Sequence, residues 1–199
     1  MATSGNFGNM MSIIVASIFL PFLPLLPVHI LIQNLLNDFA QIGMPFDNVD
    51  EEYIKNPKDW NTKGIKKFMF AFGIISTILD LLCFAVLWFV FKFNSVEKAI
   101  FFQSGWFVFG ILSQTLIIHM IRTHKIPFIQ SKSSKQLLIS TFSIVIITLV
   151  ISFTRIATIF DLSKLPYSYL IWIFGLMIIY ILFIEIYKKI YVKRNEEWL

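Results

Sequence analysis

Amide and carboxylate side chains recur at helical spacing in two apolar stretches of this chain. Asn34, Asn37 and Asp38 stand at i, i+3 and i+4, so they share one face if the stretch is helical. Asn6 and Asn9 stand at i and i+3 in the preceding stretch. Oxygen atoms of these groups are ligands that Mg²⁺ or Ca²⁺ prefers, which indicates a candidate metal site. The alternative is that the amides only join helices through interhelical hydrogen bonds.

Other polar residues stand inside apolar stretches. Asp80 lies near the centre of the third stretch, and Gln114 and His119 lie in the fourth. Buried hydrogen bonding is the commoner explanation for such groups, and Asp80, the most costly of them, is kept as a weaker candidate metal ligand. His29 follows Pro27 near the predicted membrane surface, where a hydrated imidazole needs no special role.

The elements that must position these residues are membrane helices. The chain is 57% hydrophobic with a mean hydropathy of +0.74, against an average of about 45–50% apolar residues in soluble proteins. A span takes roughly 20 apolar residues. We therefore predict an all-α membrane protein in which residues 1–199 form a single transmembrane domain with no soluble domain. The predicted helices of this six-helix bundle are 5–22, 27–44, 68–91, 100–121, 136–153 and 166–187.

Proline and basic residues predict the path of the chain through the bilayer. Pro21, Pro24 and Pro27 cannot continue a regular helix, so they predict a tight reversal between the first two helices. Asp38 then lies about 16 Å along the second helix, near half the bilayer thickness. Thirteen of the 17 Lys and Arg residues fall in the second loop, the fourth loop and the C-terminal tail. This asymmetry predicts a multi-pass plasma-membrane protein with both termini in the cytoplasm.

The sequence also excludes several classes of function. Cys83 is the single cysteine, so an intrachain disulfide or a multi-thiolate zinc site cannot form. Phosphate-binding loops, dinucleotide fingerprints, zinc-protease motifs and nucleophile elbows do not occur, so we predict no catalytic and no cofactor-binding residues. The net charge of +5 reflects basic loops and the tail, and indicates membrane topology rather than a nucleic-acid partner.

Several short motifs resemble bacterial magnesium-transporting P-type ATPases and occur in the same order. The resemblance is most specific over residues 3–61 and 101–131. The motifs are Asn6-Phe7-Gly8-Asn9, Gln33-Asn34-Leu35-Leu36-Asn37-Asp38, Pro45-Phe46-Asp47-Asn48-Val49-Asp50, Phe102-Gln103-Ser104-Gly105-Trp106-Phe107, Ser113-Gln114-Thr115-Leu116, His119-Met120-Ile121-Arg122-Thr123 and Pro127-Phe128-Ile129-Gln130-Ser131.

The resemblance implies that the six helices correspond to helices five to ten of the family's transport domain, with Mg²⁺ as the transported ion. It places Asn6 and Asn9 at fifth-helix ligand positions and Gln114 near an eighth-helix one. It places Asn34, Asn37 and Asp38 at sixth-helix ligand positions. In the family, ATP acts on parts of the protein that this sequence lacks. These are the phosphorylated segment, the nucleotide-binding and actuator domains, and the first four helices. Those parts are the implied partners, beside the lipid bilayer.

Two alternatives stay open. The chain is expected to lack ATP hydrolysis of its own, so it could be a standalone non-enzymatic membrane protein, either a passive channel or a pump-associated subunit. It could also be a truncated fragment without function. The five residues before Asn6 supply about 8 Å of helix, too little to reach the cytoplasmic surface from mid-bilayer, which favours truncation.

Overall fold

A computed structural model describes residues 2–48, 62–123 and 125–195. The described residues contain no β-strand and form long helices, which confirms the all-α membrane fold. The α-helices are α1 (Ala2–Phe19), α2 (Pro27–Gln41), α3 (Thr62–Ala85), α4 (Ala99–Ile121), α5 (Lys135–Phe153) and α6 (Ser168–Asn195). A π-helical turn, Val86–Val90, continues α3.

Four of these helices are long and apolar enough to cross a membrane. The spans are Lys66–Val90, Val96–Ile121, Lys135–Phe153 and Ser168–Tyr191. The apolar part of α1, Gly5–Phe19, is shorter, and α2 has 15 residues with several polar side chains. The single-domain, six-crossing arrangement therefore stays a prediction.

Helix ends differ from the predicted ones for local reasons. The helix α2 ends at Gln41 instead of 44, because Pro45 has no N–H to donate to the carbonyl oxygen of Gln41, and a 3-10 turn over Met44–Phe46 follows. The helices α3 and α6 extend beyond their apolar limits into basic sequence, because hydropathy marks the lipid-embedded part of a helix and not its end. Lys55 and Lys58, two of the basic residues counted in the second loop, lie outside the described residues.

The helix α4 is the buried centre of the bundle, and glycines let its neighbours pack closely. Between α1 and α3, a Cβ atom added to Gly8 would lie 2.8 Å from Cβ of Ser76. Between α2 and α5, one added to Gly43 would lie 2.7 Å from the carbonyl oxygen of Gln136. The principal neighbour of α1 is thus α3, while α2 packs on α4 and α5.

A buried ion pair joins three helices at the end of the bundle where α2 ends. Arg122, just after α4, donates to Oδ2 of Asp47 at 2.8 Å, and the side chains are 4% and 12% exposed. The other oxygen of Asp47 accepts from the backbone N–H of Ser134 at 2.8 Å. Ser134 in turn caps α5 by accepting from Leu137 N–H. This Asp47–Arg122–Ser134 clasp fixes α2, α4 and α5 relative to one another.

Candidate cation site

The relative heights of α1 and α4 follow from two contacts. A Cβ atom added to Gly5 would lie 3.6 Å from Cγ of Gln114. Further along α1, Ser12 hydrogen bonds to Asp80, and so does Trp106, which precedes Gln114 on α4. Because the residue number rises on α1 and falls on α4 between these two contacts, the two helices run antiparallel. Stepping from the Gly5–Gln114 contact in opposite directions puts Asn6 level with Ser113, and Asn9 level with Gly110.

The helix α2 runs parallel to α4. The Gln33 amide packs so closely on Gly110 that a Cβ atom there would collide with Nε2 of Gln33. The His29 and Phe107 ring centroids lie 6.1 Å apart, one turn earlier on both helices. Stepping in parallel from the Gln33–Gly110 contact puts Asn34 level with Ile111. The same step puts Asn37 and Asp38 level with Gln114 and Thr115.

On this register, the six main candidates occupy one layer of the bundle. They span the height from Gly110 to Thr115, which is about 8 Å at a helical rise of about 1.5 Å per residue. The layer lies between the middle of α4 and its C-terminal end. The members of this layer are Asn6, Asn9, Asn34, Asn37, Asp38 and Gln114.

Burial divides this layer in two. Asn9, Asn37 and Gln114 are buried, at 9%, 3% and 3% exposure. Asn34 is half-buried, whereas Asn6 and Asp38 are exposed on the surface of the described bundle. Neighbouring residues on a helix point about 100° apart, which is why Asn37 is buried while Asp38 faces outward. The inner part of the layer is therefore made of amides, and the carboxylate lies at its edge.

The buried amides retain unused hydrogen-bonding atoms. Within the described part of the chain, Oδ1 of Asn37 and both amide atoms of Gln114 have no hydrogen-bond partner. Buried polar atoms are seldom left unpaired in proteins, so such atoms indicate a missing ligand or bound water. Two free amide oxygens at one height, from α2 and α4, are what a hard cation or its water shell would contact.

Asp80 lies outside the layer and both of its oxygens are engaged. It is 1% exposed, its Oδ2 lies 2.5 Å from the Ser12 hydroxyl, and its Oδ1 accepts from Nε1 of Trp106 at 3.2 Å. These bonds tie α3 to α1 and to α4. The arrangement supports the structural interpretation of this weaker candidate.

The two described histidines are both buried. His119 bonds through Nδ1 to Ser133 and through Nε2 to Thr141, each at 3.0 Å, as a structural histidine would. His29 was predicted to be hydrated at the membrane surface, but that prediction is wrong: it is 0% exposed and its Nε2 lies 2.9 Å from the carbonyl oxygen of Phe160. The 3-10 turn Arg155–Phe160 covers it, through a contact between residues far apart in the sequence.

The sequence interpretation missed other buried polar groups near this layer. Gln33 lies one turn before Asn37 on the buried face of α2, and Thr148 and Ser152 lie on the buried face of α5. Each has a side-chain atom without a hydrogen-bond partner among the described residues. The available signal was the i, i+4 spacing of Thr148 and Ser152 in an otherwise apolar helix.

The chemistry of the layer suits an ion that keeps part of its hydration. No group of three His, Cys, Asp or Glu side chains that could hold a metal occurs among the residues described. Amide oxygens with one carboxylate bind weakly compared with a carboxylate cage, and Mg²⁺ usually keeps several waters in protein sites. Thiolates and paired imidazoles, which softer metals prefer, do not contribute here.

Comparison with known proteins gives consistent matches. The chain is 48% identical over 194 residues to magnesium-transporting ATPase, P-type 1, of Escherichia coli strain K12, with 98% of this chain covered. It is 47% identical over 194 residues to the protein of the same name from Salmonella typhimurium strain LT2, again with 98% covered. A second such protein of that strain is 44% identical over 198 residues, with 100% covered. The chain spans about 22% of the length of these curated relatives.

The family model described as cation transporting ATPase, C-terminus, matches residues 22–190, which include α2 to α5 and most of α6. This match covers most of the chain and includes the four members of the candidate layer that α2 and α4 contribute. The chain therefore belongs to the family of cation transporting ATPase C-terminal regions.

Proposed function

We propose that this chain is the C-terminal membrane part of a P-type ATPase that transports Mg²⁺, and that it contributes cation ligands but no ATP hydrolysis. The ligands proposed are the six side chains of the candidate layer. What supports the proposal is that amide side chains from three helices, with one carboxylate, lie at about one height of the described bundle. The ion is taken to be Mg²⁺ because the relatives are named magnesium-transporting ATPases.

The position of Asp38 supports this function. An ionised carboxylate inside the hydrocarbon region costs at least about 2.5 kcal/mol on insertion scales, so it needs a charged partner, a water-filled cavity or a protein cover. Asp38 is exposed on the described bundle, and it belongs to a helix that packs its other face on α4 and α5. We infer that the remaining part of the pump covers this face and that the bound ion compensates the charge.

The proposal includes an orientation. Both termini are proposed to be cytoplasmic in the bacterial plasma membrane. The Asp47–Arg122–Ser134 clasp then lies at the cytoplasmic end, and the turn between α1 and α2 at the outer end. In that orientation the candidate layer lies in the cytoplasmic half of the bilayer, because it is nearer the C-terminal end of α4.

The decisive experiment is a chimera in which this chain replaces the segment that it matches in the Escherichia coli relative. Growth of a magnesium-uptake-deficient strain on limiting Mg²⁺ should be restored by the chimera. Asp38→Asn should abolish that growth, because it removes the single negative charge of the layer. The matched control is Glu97→Gln, which removes an exposed carboxylate from the turn before α4.

Immunoblots of the membrane fraction show whether each variant is present at the level of the parent chimera. Growth of Asp38→Asn equal to that of Glu97→Gln, at equal abundance, would remove Asp38 from the cation site.

A further inference from the structure

A row of buried polar side chains runs from the candidate layer to the end of the bundle where α2 begins. We name it the polar seam, and its members are His29, Gln33 and Asn37 of α2, Gln114 of α4, and Thr148 and Ser152 of α5. All six are between 0% and 3% exposed. Among the described residues, each has at least one side-chain nitrogen or oxygen without a hydrogen-bond partner.

The register of α2 and α5 shows that these residues form one row. The Ser140 hydroxyl donates to the carbonyl oxygen of Ala40 at 2.9 Å, and Gly43 packs on Gln136, so the two helices run antiparallel. Stepping from this contact puts Gln33 level with Ile147 and His29 level with Ile151. Thr148 and Ser152 are each one residue away from those positions. The unpaired atoms therefore recur about every turn along the contact of α2 with α5.

The helix α4 closes the row at the candidate layer. Gln33 of α2 packs on Gly110 of α4. One turn further along, Asn37 on α2 and Gln114 on α4 lie at the same height. His29 closes the other end beneath Phe160. The seam thus extends over about two turns of α2, from His29 to Asn37, or about 12 Å.

Whatever pairs with these atoms must be small. They are buried by the helices of this chain itself, so a further protein segment packed on the outside could not reach them. Lipid offers no hydrogen-bonding groups at this depth. Water is the ordinary partner of buried polar groups that the protein leaves unpaired, and the seam offers such a group at about every helical turn.

We propose that the polar seam binds a line of water molecules that connects the buried amides of Asn37 and Gln114 with the end of the bundle at His29 and Ser152. Hydration of the seam stands independently of the proposed function. Only its use, as a path for water or protons to and from the cation layer, rests on that function.

Silver ions test this proposal, because Ag⁺ is small, water-borne and reacts with thiolates. The full chain carries Cys83→Ser, which removes its single cysteine, and is placed in lipid nanodiscs without Mg²⁺. Thr148→Cys puts a thiol in the seam, and Ile147→Cys puts one at the same height on the exposed face of α5, 43% exposed. The thiols that remain free are counted after unfolding, by mass spectrometry of a maleimide adduct.

We expect Thr148→Cys to be blocked by Ag⁺ about tenfold faster than Ile147→Cys, since the thiolate forms only where water reaches it. Ser152→Cys, a nearly isosteric change, and its lipid-facing control Val150→Cys form a second pair in case Thr148→Cys fails to fold. Equal, slow reaction of the seam and lipid-facing thiols in the folded pair would show a dry seam and overturn the proposal. Fast seam reaction together with failure of the magnesium-growth test would retain the seam and reject only the proposed function.

Discussion

Replacement of Arg122 by alanine should strongly destabilise the fold, since it leaves the largely buried carboxylate of Asp47 without its cation. Arg122 donates to Asp47 at 2.8 Å, to the Ser131 hydroxyl at 2.9 Å and to the Asn48 carbonyl oxygen at 3.3 Å. With side chains 4% and 12% exposed, solvent screens this pair little. Removing one partner of a buried pair costs about 3–5 kcal/mol. Asp47 keeps its bond from Ser134, so we expect about 3 kcal/mol, near the lower end of the range.

The single cysteine supplies the assay. Cys83 is 0% exposed and its sulfur lies 3.4 Å from the Tyr169 hydroxyl, so a fluorogenic maleimide reacts with it only after unfolding. Unfolding in a graded denaturing detergent, followed through this thiol, gives the free energy of unfolding for each variant. Arg155→Ala is the matched control, because Arg155 is exposed, and we expect a change within about 0.5 kcal/mol.

A double-mutant cycle separates the pair from other effects of Arg122. The coupling of Arg122→Ala with Asp47→Ala should be about 1–3 kcal/mol, as for residues in one ion-pair network. The inference that this clasp fastens α2 to α4 and α5 would be refuted by either of two results. One is a decrease of less than about 1 kcal/mol in the free energy of unfolding of Arg122→Ala, and the other is a coupling energy near zero.

Three further predictions concern packing, catalysis and topology. Gly110→Ala should cost about 1–3 kcal/mol by the same thiol assay, because the new methyl group collides with Gln33, whereas Gly175→Ala, with nothing within 4 Å, should be neutral or stabilising. The purified chain should show no Mg²⁺-stimulated ATP hydrolysis, and turnover above a mock preparation would contradict this. A green fluorescent protein fused after residue 199 should fluoresce and an alkaline phosphatase fused there should be inactive; the reverse result would place the C-terminus outside.

Hydropathy and proline predicted where the chain is helical, because a lipid-embedded helix must satisfy its backbone within itself and keep an apolar surface. Each predicted stretch overlaps a helix of the structure. The helix ends could not be predicted from hydropathy, since Thr62, where α3 begins, and Asn195, where α6 ends, lie in polar sequence. The proline at position 27 is in the first turn of α2, where its missing N–H would have no partner in any case.

Helical periodicity grouped the site residues but could not say what each one faces. It put Asn34, Asn37 and Asp38 on one side of α2, yet the structure buries Asn37 and exposes Asp38. The helices α4 and α5 decide which part of that side is covered. They contact α2 through Gly110 and Ser140, which lie far from α2 in the sequence. The environment of His29 was missed for the same reason, because its partner is Phe160.

The charge of the proposed cation layer explains why its carboxylate lies at the edge. Asp38 supplies one negative charge, whereas Mg²⁺ carries two positive charges, and the amides of Asn37 and Gln114 offer dipoles only. A site enclosed by these groups alone would leave a net charge in lipid, which is costly. With Asp38 on an exposed face, the ion keeps water or meets further oxygen ligands from a covering segment. The proposed site is therefore part of a coordination shell, open where Asp38 is exposed, with the buried amides of Asn37 and Gln114 inside the bundle.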